Sequence, residues 1–217
     1  GVSLRARLLV YNKNSINKSD LDGYIDLAND KWKSKILVRS SSNVYNQSLI
    51  SAMVIKYGEE KVKEFLKGFI SNFARKPSGG DRDQIRAVAA GEGDLALVNS
   101  YYFLKMKNQD SEKKLDNVIA YFPKDNFMQT HINISGAGII KNSKNKENAI
   151  KFLEFLVSDE AQKIYAEVNF EYPIRKNIEL NRFMKKYDNF IRDDINLSDL
   201  AKMNKKSIML MDIAGWQ

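Results

Sequence analysis

At 217 residues with 43% apolar content, the chain can bury a sizeable core and falls between one large domain and two small ones. It has no cysteine, which excludes disulfides, thiolate zinc sites and cysteine nucleophiles and fits an oxidising compartment. Its net charge of +8 comes from 35 Lys and Arg interspersed with 27 acids rather than from a basic block, which argues against a nucleic-acid partner.

Arg7 to Tyr11 is a short apolar run ended by the turn-rich Asn12-Lys13-Asn14-Ser15 and predicts a buried strand. The start of the chain, Gly1-Val-Ser-Leu-Arg5, has neither the basic start nor the apolar run of a secretion signal, so any such segment is expected to have been removed or to lie outside this sequence. Between Asp20 and Asn29, Leu21, Tyr24, Ile25 and Leu27 fall near helical spacing, and Lys35 to Arg39 predicts a second strand before the polar loop Ser40 to Asn43. Leu49, Ile50, Met53, Val54 and Tyr57 share one face of a helix that Gly58 would cap, and Val62, Phe65, Leu66, Phe69, Ile70 and Phe73 repeat the pattern. After the Pro77 to Gly80 loop, a third helix is predicted over Gln84 to Ala90, stopped by Gly91-Glu-Gly93. Asp94 to Asn99 is an apolar strand of the kind covered on both faces.

A polar stretch then runs to Asn126, and His131 to Ile140 is strand-like, with two glycines and room for a change of domain. Ser143 or Asn145 can cap a helix with the apolar face Ala149, Phe152, Leu153 and Leu156. Ser158, followed by Asp159 and Glu160, restarts it with acids where the helix dipole favours them. That apolar face is broken by Lys151 and Glu154 and is far too short to cross a bilayer. Helical spacing continues weakly through Leu197, Leu200, Met203 and Ile208. Helices alternating with buried strands indicate an α/β fold.

The catalytic inventory is thin: one histidine, no Gly-x-Ser-x-Gly, no Walker loop, and a Gly136-Ala-Gly138 that lacks the third glycine of a dinucleotide fingerprint. His131 lies in an apolar run, where a hydrogen-bonded structural role is the ordinary one, and the carboxylates are scattered over helix surfaces. The unusual phrase is Asn99-Ser100-Tyr101-Tyr102, placed where a buried strand ends, since strand ends carry ligand sites in open α/β sheets. Neighbouring residues in a strand point to opposite faces, so Tyr101 and Tyr102 can converge on one ligand only if the backbone leaves strand geometry between them. Phenolates are hard oxygen donors that suit ferric iron, although adjacent tyrosines are ordinarily packing residues. A second feature, Ser40-Ser-Ser-Asn-Val-Tyr45, joins a strand to a helix start, where free amides favour an anion; the plainer reading is an N-cap by Ser42 or Asn43. Arg5 and Arg7 are both suited to an anion or to nearby acids.

Taken in order, RARLLVYNK (5–13), DLANDKWKSKILVRSSSNVYNQSL (26–49), AVAAGEGDLALVNSYY (87–102), HINISGAGIIKNSKNKENAIKFLEFLVSDEAQ (131–162) and LMDIAGWQ (210–217) resemble the ferric-iron-binding proteins of bacterial ABC transporters. The resemblance implies a type II periplasmic-binding-protein fold, here one nearly complete lobe plus part of the second. Residues 1–130 would form mainly the C-terminal lobe, 131–182 part of the N-terminal lobe after a hinge crossover, and 183–217 the helices that return to the C-terminal lobe. It also implies a periplasmic protein, not an enzyme, that captures Fe(III) and delivers it to an ABC permease. Tyr101 and Tyr102 match the adjacent ligand tyrosines of the family and Tyr45 an additional one. Arg7 and Asn99 match residues near a synergistic anion such as carbonate. The family also has a further N-terminal segment that nothing here matches. The competing reading is a binding protein for another anionic solute, such as phosphate or an organic acid.

Overall fold

A computed structural model describes residues 1–217. The central element is strand β1 (Ser3–Asn12), which carries two sheets at once. From Arg7 to Asn12 it pairs antiparallel with β3 (Leu95–Asn99) on one side and β4 (Val118–Tyr121) on the other, and β2 (Ile36–Leu37) adds to β3 in parallel. From Ser3 to Ala6 it pairs instead with β5 (Ile132–Ser135) and β6 (Tyr172–Pro173), both antiparallel. The strand predicted from Arg7 therefore starts four residues earlier, because Ser3 to Ala6 serve a second set of partners far along the chain.

Alternation along β1 and β3 builds two cores from one sheet. Leu9, Tyr11, Leu95 and Leu97 face helices α1 (Val44–Tyr57), α2 (Glu59–Ser71) and the C-terminal helix. Leu8, Val10, Ala96 and Val98 face helices α3 (Asp81–Ala90) and α4 (Ser100–Asn108) and the segment around Ala166 to Met184. Because both faces are covered, β3 reads as a continuous apolar run, every residue of it buried. Gly58 ends α1 and opens α2 at φ +83°, ψ 161°, a conformation that a side chain would strain. Gly91 closes α3 in the left-handed region at φ +79°.

Two predicted elements differ. The periodicity over Asp20 to Asn29 belongs to short 3-10 turns, Lys18–Asp20, Tyr24–Ala28 and Asp30–Trp32, which bury Tyr24, Leu27 and Trp32 without a continuous helix. The strand-like run His131 to Ile140 keeps strand pairing only to Ser135, after which Ile139 and Ile140 are exposed. Helices α5 (Lys146–Leu156) and α6 (Asp159–Ile164) follow, the latter capped by Ser158, whose side chain accepts from the Ala161 N–H, and it continues as a π-helical turn over Tyr165–Asn169. α5 is amphipathic yet buries no residue, leaving Ile150, Phe152 and Phe155 exposed. A short helix α7 (Arg182–Lys185) leads to α8 (Leu197–Ala214), which packs back onto α1 and α2. No helix is long and apolar enough to cross a membrane.

Candidate functional site

β3 ends at Asn99 and α4 begins at Ser100, so the backbone turns from strand to helix immediately before the tyrosine pair. Both tyrosines sit in the first turn of α4, and their rings lie side by side, with centroids 4.0 Å apart and planes inclined at 32°. Leaving strand geometry at this point is what two adjacent side chains need in order to face one ligand. Tyr45 arrives from the first turn of α1, whose N-cap Asn43 accepts from the Tyr45 N–H at 3.1 Å. The N–H groups of Asn46 and Gln47 both donate to the Asn43 carbonyl. These bonds engage the amides that an anion at this helix start would need, so the helix-start feature is an N-cap by Asn43.

The three phenols meet in a half-buried group. Burial, reinforced by the hydroxyls of Tyr102 and Tyr45, pushes the Tyr101 phenol well above its ordinary range. Arg5 leans over the cluster: its Nη1 donates to the Tyr45 hydroxyl at 2.6 Å, and its guanidinium lies 5.2 Å from the Tyr45 ring centre and 5.9 Å from that of Tyr101. Arg82, at the start of α3, lies 5.4 Å over the Tyr102 ring. Two cations thus flank three groups that are neutral as phenols and would be anionic as phenolates.

Arg7 and Asn99 lie beneath this cluster, each 0% exposed. The Arg7 guanidinium donates from Nη1 to Asp81 and Asn99, each at 3.2 Å, and from Nη2 to Asn46 at 2.5 Å. The second carboxylate oxygen of Asp81 takes Arg39 at 3.2 Å, and its first also accepts the Asn99 N–H at 2.7 Å. Burial lowers the pKa of Arg7, against the pull of Asp81. Residues expected beside a bound anion therefore hold a buried ion pair that fixes the middle of β1 and the end of β3 to the starts of α1 and α3. Arg5 and Arg7 are two apart on β1 and share a face, which is the sequence signal that places Arg5, one step outward, against the tyrosines.

His131 is 1% exposed, and burial first, then the Arg7 charge, pushes its pKa down to about 3. Its Nε2 lies 2.9 Å from Ser48 Oγ, and Ser48 also donates to Asn133 at 2.8 Å. It is held as a neutral, buried histidine by these contacts.

Comparison with known proteins extends these observations. A family model described as bacterial extracellular solute-binding protein matches residues 1–196. Iron uptake protein A1 of Synechocystis is 41% identical over 220 residues, an alignment that covers 100% of this chain and 61% of that protein. Among solved structures, Trichodesmium IdiA (FutA), in complex with iron and citrate ligands, superposes with a TM-score of 0.94 at 48% identity, covering 100% of this chain and 70% of that one. Mannheimia haemolytica ferric iron-binding protein A, in an open conformation, gives a TM-score of 0.92 at 41% identity over 100% of this chain and 69% of its own. The chain spans about three-fifths of the length of the curated relative. With its type II periplasmic-binding fold and a match over nearly its whole length, the chain belongs to the bacterial extracellular solute-binding protein family.

Proposed function

We propose that this protein captures ferric iron as the tris-phenolate of Tyr45, Tyr101 and Tyr102, and that it acts by binding rather than by catalysis. The observation that carries the reading is the convergence of three half-buried phenols from two helix starts, with Arg5 bonded to one of them. Hard, anionic oxygens suit Fe(III), and the metal replaces the protons that the buried phenols otherwise keep. Arg5 and Arg82 offset part of the negative charge that three phenolates bring. Two relatives support the cargo through what they are named for: iron uptake in one, iron with citrate in the other.

The same reading places the protein in the periplasm as the solute-binding partner of an ABC permease. Residues 1–130 and 183–217 would then form the ligand lobe and 131–182 part of the opposing lobe. The exposed apolar face of α5, with Ile150, Phe152 and Phe155 at 47%, 59% and 42% exposure, is where further polypeptide matching the extra length of the relatives would pack to complete the cleft. A synergistic anion such as carbonate would enter from the open side of the tyrosines, next to Arg5 and Arg82, since Arg7 and Asn99 are buried.

Ferric titration tests this directly. Loading should produce a visible phenolate-to-iron charge-transfer band that Tyr101→Phe and Tyr102→Phe each weaken, and an unchanged band in both variants refutes the assignment. A site for an anionic solute alone would give no colour and would be displaced by phosphate or citrate. Loading should also release protons to an unbuffered solution, so the apparent iron affinity falls as pH falls.

A further inference from the structure

The point at which β1 passes from one sheet to the other is not an ordinary rung. Pairing between β1 and β5 runs Ser3 with Ser135, Leu4 with Ile134, Arg5 with Asn133 and Ala6 with Ile132, and in that register the next pair is Arg7 with His131. Half of that rung is made, since the Arg7 N–H donates to the His131 carbonyl at 2.8 Å. The other half is interrupted by a side chain. The His131 N–H donates to the Tyr24 hydroxyl at 3.0 Å, and that hydroxyl donates to the Arg7 carbonyl at 2.5 Å. A phenol oxygen thus stands between the two backbone groups that would otherwise bond each other and holds the strands apart on one side only.

Everything around this oxygen is anchored to the tyrosine side of the molecule. Tyr24 is 1% exposed in the core under α1 and α2. The Arg7 side chain is tied to Asp81, Asn99 and Asn46, and His131 is tied to Ser48, one helical turn beyond Tyr45 on α1. Beyond the rung, Ser3 to Ala6, β5 and β6 make the other sheet.

We propose that the Tyr24 hydroxyl is the pivot pin of lobe closure, a positioning residue that sets the splay between β1 and β5 and thereby the angle at which the second sheet meets the tyrosine face. Without the hydroxyl the rung has two outcomes. It closes into a direct bond and swings the second sheet inward, or it leaves a buried N–H and C=O without partners and loosens the joint. Both change the distribution of angles while leaving the three phenols in place. The pin rests on the two-lobe part of the proposed function and not on the identity of the metal.

The absence of native cysteine allows clean placement of a label pair at the exposed positions Lys67→Cys on α2 and Lys151→Cys on α5. Pulsed electron–electron resonance on this chain, with Tyr24 and with Tyr24→Phe, reads the distance between the two sheets. The expected result is a displacement of the mean by about 2 Å or more, the scale at which domain rearrangements begin, or a clear broadening. Superimposable distributions overturn the proposal. If Tyr24→Phe does not fold, 3,5-difluorotyrosine at position 24 keeps the shape and weakens the oxygen as an acceptor. It should then give a smaller change, and no change again overturns the pin. Ferric titration of the same samples separates the two readings: a shifted distance without any ferric band keeps the pin and removes iron, whereas a band with an unshifted distance does the reverse.

Discussion

Asp81 does more than its exposed neighbours because three groups depend on it in a space without water. It accepts from Arg7, Arg39 and the Asn99 N–H, and its side chain is 0% exposed. Neutralising it in Asp81→Asn leaves the Arg7 charge buried without a counter-ion, which should cost about 3–5 kcal/mol in urea unfolding. Arg39→Gln, at a position with 25% exposure, should cost far less. His131 makes stability depend on pH in a stated direction. Its folded pKa of about 3 lies below the ordinary 6.5, so the unfolded chain binds the proton more readily between these values. Its contribution is therefore complete above about pH 6.5 and is lost as pH falls towards 3, at a limiting slope of about 1.4 kcal/mol per pH unit. In His131→Gln, thermal unfolding followed across that window should show a shallower dependence on pH. At this scale the sequence was partly legible. The three tyrosines stood out by position, and His131 read as structural from its apolar surroundings. The partners of Arg7 could not be read, because Asn46, Asp81 and Asn99 come from three separate segments and only the fold brings them together.

Among the elements, the strand-to-helix turn at Asn99 is what converts two neighbouring tyrosines into one face, and it was visible only as a requirement. Ser100 to Asn108 carries four polar or basic residues and a short apolar face, so no helix stood out, although Phe103 and Leu104 are fully buried. Helices α1, α2 and α3 were legible because each spans more than two turns with an apolar stripe, and α1 and α3 end at a glycine. The 3-10 turns before β2 were not, since Gly68 of α2 approaches the Ala28 carbonyl so closely that an added Cβ would lie 2.5 Å from it. Tertiary contact, not local spacing, decides the shape of that segment. α8 is tied down just past its end by Trp216, which is 2% exposed, packs edge-on against Phe69 and Phe73, and donates from Nε1 to the Arg39 carbonyl at 3.0 Å. Truncation in Trp216→Ala should cost about 3–5 kcal/mol and should raise the protease sensitivity of α8.

At the scale of the molecule, an α/β chain with a sheet covered on both faces was foreseeable. The two-sheet course of β1 was not, because Ser3 to Ala6 alternate polar and apolar residues like any half-buried strand and nothing local distinguishes a partner at Asn99 from one at Ser135. The apolar face of α5 and its surroundings gives a measurable expectation. Phe152→Ser, at a position 59% exposed, should leave unfolding stability within about 0.5 kcal/mol of the parent while reducing dye binding and self-association of this chain. Loss of stability on the scale of a core truncation would show that this face is covered within the chain itself.

The course of β1 also bears on the order in which the protein can assemble. Residues 3–12 find their partners at 95–99, 118–121, 132–135 and 172–173, so the pairing of this strand stays incomplete until residues as far along the chain as Pro173 are available. Helical hairpins such as α1 and α2 form early from local contacts, but neither sheet closes until sequence-distant pairings are made, and such pairings are slow. Until then an unpaired, largely apolar strand is exposed at both edges. That interval is when self-association through the unpaired edges competes with folding, whatever the final stability.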